Sequence, residues 1–166
     1  MTRRRIAAGE VPETVWPSTD EFGIPDLLLD RQAGPLDLPL VRWGSAARSS
    51  RMKGTWHFYT EDYRWGALWG RPQQLANTGC VASVECNYSV TEAAPLAEVL
   101  WQTYRKRWLA RYWQDVGVRV WVDLFVADRH AEVNLRGVPR GWQAWATRGS
   151  PQLATDYRRA RMHADG

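Results

Sequence analysis

The chain has 166 residues, 45% hydrophobic and 24% charged, a balance that fits one globular domain with its own core and excludes a disordered or fibrous chain. Its formal charge of +4 and pI near 9.4 favour polyanionic partners over acidic ones. No segment approaches the roughly 18 apolar residues of a membrane span, and no apolar export-signal core follows the basic opening MTRRR, so a cytoplasmic protein without a membrane partner is expected.

In chain order, residues 1–35 are rich in Pro and acidic turn residues and show no sustained period. They read as an irregular arm draped over the domain. Residues 36–150 read as a single α/β domain, and 151–166 as a basic tail. LPLVRWG and GTWHFYT are short, bounded by Gly and rich in β-branched or aromatic residues, which predicts two strands. EDYRWGALWG and RPQQLAN carry helical signals, with Pro72 at a helix start. CVASVE predicts a third strand. Cys80 and Cys86 lie roughly 20 Å apart along it at about 3.3 Å per residue, too far for a local disulfide, so both are expected as free, partly buried thiols. The spacing then predicts one long helix from Glu92 to Val116, capped by Thr91 and stopped by Gly117. VRVWVDLFV reads as a strand covered on both faces, ADRHAEVNLRG as a short helix and GWQAWAT as a last strand. Strands alternating with helices predict an α/β fold with a mainly parallel sheet and right-handed crossovers, either a half-barrel or an open doubly wound sheet.

Eleven Trp residues supply large apolar bodies whose N–H groups each seek a partner; they predict a Trp-rich core, with base-stacking platforms as the other use. On the wheel of the long helix, Leu100, Tyr104, Trp108, Tyr112 and Val116 form one drifting stripe, filled in by Ala97 and Trp101. The cations of YRKRW cannot share a face, because successive residues diverge by about 100°. Arg107 and Arg111 are expected along one edge, Lys106 pointing into solvent, and Arg105 beside the stripe. An Arg in that position must carry its charge to a carboxylate, a phosphate or backbone carbonyls, and Glu85 or Asp123 is the expected acid.

GTWHFYTEDYRWGALWGRP, the strand after it, and PLAEVLWQTYRKRWLARYWQDVGVRVWVDL together resemble the family known as domain of unknown function 4417, found in phages, plasmids and other mobile elements. The resemblance covers roughly residues 41–149. Its HFY-x-x-D-Y-R-aromatic pattern is met by His57, Phe58, Tyr59, Asp62, Tyr63, Arg64 and Trp65. Its Y-R-x-R-W pattern is met by Tyr104, Arg105, Arg107 and Trp108. Where the family often has Asp-Phe-Ser, this chain has Asn87-Tyr88-Ser89, so no carboxylate is carried over to that triplet. The resemblance implies a mobile-element setting and a fold, and no chemistry.

In a parallel sheet, ligands gather beyond the carboxyl ends of the strands, where Glu85, Asn87, Asp123, Thr147 and Arg148 are expected. Glu85 and Asp123 could jointly hold Mg²⁺, with His57 a further catalytic candidate, but pairing of the acids with Arg105 or Arg107 competes with that use. No dedicated metal site is read from the sequence. His130 is expected to face solvent. Gly44-Ser45 lacks the flanking pattern of a nucleophile elbow, and no phosphate-binding glycine loop is present. Three readings follow. The favoured one is a non-enzymatic nucleic-acid-binding accessory protein of a mobile element, acting in replication or maintenance, with DNA ahead of RNA as partner and Arg105, Lys106, Arg107, Arg111, Arg158, Arg159 and Arg161 as contacts. The second is a metal-dependent enzyme acting on phosphoester bonds. The third is a phage or plasmid factor that binds and inhibits a host protein.

Overall fold

The computed structural model describes residues 10–44, 51–149 and 151–166. The first nine residues of the expected arm, Ser45 of the Gly44-Ser45 pair, and Ser150 at the expected edge of the tail lie outside that set. Five strands, β1 (Leu40–Arg42), β2 (Thr55–His57), β3 (Ala82–Val84), β4 (Arg119–Asp123) and β5 (Trp145–Ala146), form one sheet in the order β1-β2-β3-β4-β5. Every neighbouring pair is parallel. The order follows the chain without reversal, so of the two expected arrangements the sheet has the sequential winding of a half-barrel. A doubly wound sheet would place its crevice where the order reverses. Here the carboxyl ends instead form one continuous row, as on the catalytic face of a barrel.

Short helices α1 (Gln73–Ala76) and α3 (Ala131–Asn134), the long helix α2 (Leu96–Asp115) and the closing helix α4 (Leu153–Asp165) complete the fold. α2 begins four residues later than its periodicity predicts. Pro95 sits in extended conformation at φ −66° and ψ 153°, and a proline also disfavours helical geometry in the residue before it. The helix stop is as expected: Gly117 adopts φ +93°, Val118 N–H donates to the Trp113 carbonyl at 2.9 Å and Gly117 N–H to that of Gln114 at 3.1 Å. That pair of bonds satisfies carbonyls the helix end would otherwise leave bare.

The stripe on α2 holds only in its middle. Trp108 and Tyr112 are buried, Leu100 and Tyr104 are half-buried, and Ala97 and Val116 are exposed. From Lys106 to Gln114 every residue is buried, because the helix is covered on two sides. The sheet takes one side. Residues of the expected arm take another: the Trp108 indole N–H donates to the Thr14 carbonyl at 2.9 Å, Trp16 packs at 6.1 Å from Trp108, and the Gln114 amide exchanges bonds of 2.8 and 2.9 Å with the backbone of Leu28.

The same segment enters the sheet. Gln32 forms a parallel bridge with Val120, and Ala33 N–H donates to the Val120 carbonyl at 2.9 Å. Since β5 pairs only with Val122 and Asp123, this backbone occupies the position beside the first half of β4 that β5 leaves open. Ile24, Leu27 and Ala33 are buried. Leu27 N–H donates to the Gly137 carbonyl at 2.8 Å, and a Cβ on Gly137 would meet the Pro25 carbonyl at 2.2 Å, so only glycine fits that close approach.

The core is Trp-rich as expected. Trp43, Trp56, Trp65, Trp69, Trp108, Trp113 and Trp142 are buried, while Trp16, Trp101, Trp121 and Trp145 are half-buried. Cys80 and Cys86 are free and buried, and burial pushes the Cys86 thiol well above its ordinary value.

Candidate functional site

Each strand delivers a polar group to the row of carboxyl ends. β1 ends on exposed Arg42 and β2 on half-buried His57, which are register neighbours. Glu85 follows β3, Asp123 closes β4, and Thr147 and Arg148 follow β5. Behind this rim lies a buried charge network. Arg107, fully buried, hydrogen-bonds the Glu85 carboxylate and the Asn134 carbonyl, and donates to the Arg136 carbonyl at 2.8 Å. The second Glu85 oxygen accepts Asp123 N–H at 3.1 Å.

Asp123 is fully buried and surrounded by donors. One oxygen accepts the Tyr59 hydroxyl at 2.9 Å and Phe125 N–H at 3.0 Å. The other accepts the Asn87 amide at 2.7 Å and the Lys106 ammonium at 3.3 Å. Lys106 also donates to Asn134 Oδ1 at 2.6 Å, and the Asn134 amide to the Asp123 carbonyl at 2.8 Å. Burial, then the negative charge of Asp123, pushes the Tyr59 phenol far above its ordinary value, so it stays protonated and donates.

The wheel therefore misassigned the cations of α2. Lys106, expected in solvent, and Arg107, expected along an exposed edge, are both buried; Arg107, which shared with Arg105 the expectation of meeting the acids, holds Glu85, and Lys106 holds Asp123. The physical reason is coverage: on a helix enclosed from two sides, the face opposite the apolar stripe also points inward. Arg105 is half-buried. Its guanidinium lies 4.1 Å from the Tyr88 ring, 5.3 Å from Trp69 and 5.8 Å from Trp101, and donates to Gln102 at 3.1 Å. Arg111 is buried over Trp16 at 4.7 Å, with Asp115 at 3.5 Å. His130 is buried as well, its Nε2 3.0 Å from the Thr91 carbonyl.

The family-pattern residues divide between rim and support. His57 lies on the rim, where burial, then the charge of Arg42, lowers its pKa. Asp62 accepts the Ser89 backbone N–H at 3.0 Å and its hydroxyl at 2.9 Å, tying the segment after β2 to the loop after β3. Arg64 pairs with Glu61 at 2.8 Å and lies 5.4 Å from the exposed Tyr63 ring. The Thr60 hydroxyl and Arg64 hold the Glu61 carboxyl down at about 2. Tyr104 stacks on Trp101 at 5.8 Å.

Glu85 and Asp123 do not fit Mg²⁺ ligation. Lys106 and Arg107 already supply the positive charge a divalent ion would bring, and the Asp123 oxygens are taken by four donors. Among the described residues no three His, Cys, Asp or Glu side chains converge as a metal site requires.

Asn134 and Asp156 were not singled out in the sequence, and Tyr59 entered only as a member of the HFY pattern, with no role given to it. Its place two residues after His57, on the same side of an extended segment, was a further signal. Asn134 had none. Asp156 had none either. It is buried near the rim and accepts the Thr147 hydroxyl at 3.0 Å. Burial raises its pKa, outweighing the Thr147 bond and the charge of Arg159.

Of the tail cations, Arg159 lies 3.2 Å from Asp128 and Arg161 lies 3.5 Å from Asp165. Exposed Arg158 reaches Thr155 at 3.4 Å. Among the described residues no helix is long and apolar enough to cross a membrane.

Fold and site together define an α/β protein with a sequentially wound parallel sheet, whose polar carboxyl rim rests on a buried ion-pair network. The family described as Domain of unknown function (DUF4417) matches residues 16–158, and the chain belongs to it. Two curated relatives are phage proteins, both named Gene 1 protein. That of Mycobacterium phage D29 is 29% identical over 110 residues, covering 63% of this chain and 40% of the relative. That of Mycobacterium phage L5 is 30% identical over 108 residues, covering 62% of this chain and 46% of the relative. The matched region thus spans less than half the length of either relative, and the family is a phage-type one of uncharacterised function. No solved structure matches the chain.

Proposed function

We propose that the protein is a non-enzymatic nucleic-acid-binding accessory factor of a phage or related mobile element, serving replication or maintenance, and that it contacts phosphates along the carboxyl rim of its sheet. The carrying observation is the pair of exposed arginines at the two ends of that row. Arg42 closes β1, and Arg148 follows β5 with its guanidinium 5.7 Å from the Phe125 ring. Neither has an acidic partner among the described residues. Four strand spacings of about 4.8 Å separate their strands by roughly 19 Å, with His57 and Asn87 between them. Arg158 on α4 extends the set. Lys106 and Arg107 leave it because they are internal, and Arg105 and Arg111 because they are half-buried and buried against aromatic rings, whereas Arg148 is exposed.

The test is fluorescence anisotropy with single- and double-stranded DNA and RNA across a salt series. Each phosphate contact removed, as in Arg42→Ala or Arg148→Ala, is expected to reduce the slope of log K against log salt by about 0.9 on duplex DNA or about 0.7 on single strands. Lys106→Met is not expected to change the slope in molecules that remain folded. Absence of salt-sensitive affinity for every nucleic acid tried would end this reading and favour a protein partner.

A further inference from the structure

Between β5 and α4, beside the rim and separate from the charge network, lies a cleft of about 480 Å³, the volume of a small-molecule site. Trp142, Trp145, Leu153 and Tyr157 supply its aromatic and apolar walls, with Gln143 and Arg161 among its polar lining. Trp142 is fully buried and its indole N–H is taken by the Ala144 carbonyl at 2.8 Å, so it presents a ring and no donor. Trp145 is half-buried, and Tyr157 is 61% exposed at the mouth.

The cleft holds two carboxylates, of which Asp165 is exposed and paired with Arg161 at 3.5 Å. Asp156 also lines the cleft, yet it is only 2% exposed. Its Oδ2 accepts the Thr147 hydroxyl. Among the described residues its Oδ1 meets no hydrogen-bond donor; the nearest cation, Arg159, stands 3.9 Å away. A carboxylate oxygen with unfilled lone pairs, set among aromatic rings, is complementary to a flat ring bearing N–H groups on one edge. The ring would lie against Trp145 and Tyr157, where stacking is favourable for any base.

The edge decides which ring. An unpaired guanine presents two donors side by side, N1–H and the N2 amino group, to a carboxylate that only accepts. Adenine and cytosine present a donor beside an acceptor, and uracil one donor between two acceptors. Their acceptors would face the carboxylate's lone pairs and be repelled. We propose that the β5–α4 cleft is a binding site for an unpaired guanine base, stacked on Trp145 and Tyr157 and read by Asp156. This deepens the nucleic-acid reading and rests on it for one of two sources of the base, a single strand or a free nucleotide.

The test is calorimetric titration of the full chain with GMP, AMP, CMP and UMP, and with an all-thymidine octanucleotide with and without one guanine. GMP is expected to bind on the order of tenfold tighter than the other three, the discrimination of a bidentate base contact. Asp156→Asn is expected to abolish that preference. Tyr157→Ala, at an exposed position that leaves folding intact, is expected to weaken all four. Equal affinity for the four nucleotides, or GMP binding unchanged in both variants, overturns the proposal. Tighter binding of the guanine-containing octamer assigns the base to a strand. GMP preference without binding of either octamer keeps the cleft as a free-nucleotide site and leaves the nucleic-acid reading to be decided by the salt series. Salt-sensitive octamer binding without guanine preference ends the cleft proposal and leaves that reading standing.

Discussion

The segments Tyr104–Trp108 and Tyr157–Arg161 each place three cations within five residues after a tyrosine, and their charge does not separate them. In α2, Lys106 and Arg107 are 3% and 0% exposed and hold Asp123 and Glu85. In α4, the Arg161 and Asp165 side chains of one pair are 63% and 67% exposed, and Arg159 reaches an Asp128 side chain that is 61% exposed. The difference is in what covers each helix. α2 lies between the sheet and the segment that includes Trp16 and Leu28, so its polar face has nowhere to go but inward. α4 closes the chain against β5 and leaves one side to water. A charge run in a sequence therefore reports neither surface nor partner until the coverage of its helix is known.

The sharpest way to break this comparison is Arg107→Ala. It would leave the Glu85 carboxylate buried without its cation and free two backbone carbonyls, which costs about 3–5 kcal/mol and lowers the melting temperature by roughly 6–20 °C. Replacing both partners, as in Arg107→Met with Glu85→Met, is expected to recover most of that loss, because the desolvation of both charges is then avoided. Urea denaturation of the two variants tests it. A single variant within about 0.5 kcal/mol of wild type would show that the pair behaves as a surface one.

Arg105→Ala comes next in size. Its guanidinium is surrounded by Tyr88, Trp69 and Trp101, and no carboxylate is among its partners, so the loss expected is about 1–2 kcal/mol, the scale of a partly desolvated cation–π contact. Arg105→Lys is expected to recover only part of it, since an ammonium does not stack as a planar guanidinium does. A loss as large as that of Arg107→Ala would show that Arg105 carries a buried ion pair after all.

The contrast between these two residues also measures how much of the site could be read from the sequence. The strands, their parallel arrangement, the Gly117 stop and the placing of Glu85 and Asp123 at strand ends all follow from local periodicity and turn chemistry. Which cation meets those acids does not. A wheel reads one buried stripe, and α2 has more than one buried face because a segment 80 to 100 residues away lies against it without any period of its own. Arg105 and Arg107 differ by about 200° around the helix, so only one of these two expected partners could point at the acids, and the wheel alone favoured the wrong one. Asn134 and Asp156 had no motif to mark them, since their positions matter only once α3 and α4 are packed against the sheet.

A smaller effect is expected where the rim is neither buried nor free. Burial and the neighbouring Arg42 lower the pKa of His57 from its ordinary 6.5. As pH falls below 6.5 the unfolded chain takes up this proton first, so the folded state loses stability down to the lowered value and regains none below it. His57→Gln is expected to flatten that part of the stability–pH curve. All other groups are common to both proteins, so the difference between the two curves isolates His57. Parallel curves would mean that His57 is solvated like the tail cations.

The smallest stability effect belongs to α4, and it completes the comparison because there the same substitution separates stability from binding. Arg158→Ala and Arg161→Ala each remove a cation whose contacts are at the surface, where an ion pair contributes about 0–1 kcal/mol and is screened by salt. Each variant is expected to unfold within about 0.5 kcal/mol of wild type. If α4 lies along a bound strand, the same variants lose affinity at low salt across all sequences and reduce the salt slope by about 0.7–0.9 for each contact. Arg107→Ala should do the reverse, losing stability while the folded fraction keeps the wild-type slope. A tail variant that unfolds easily, or an Arg107 variant that stays folded and loses salt-dependent binding, would show that the two runs had been assigned to the wrong sides of the surface.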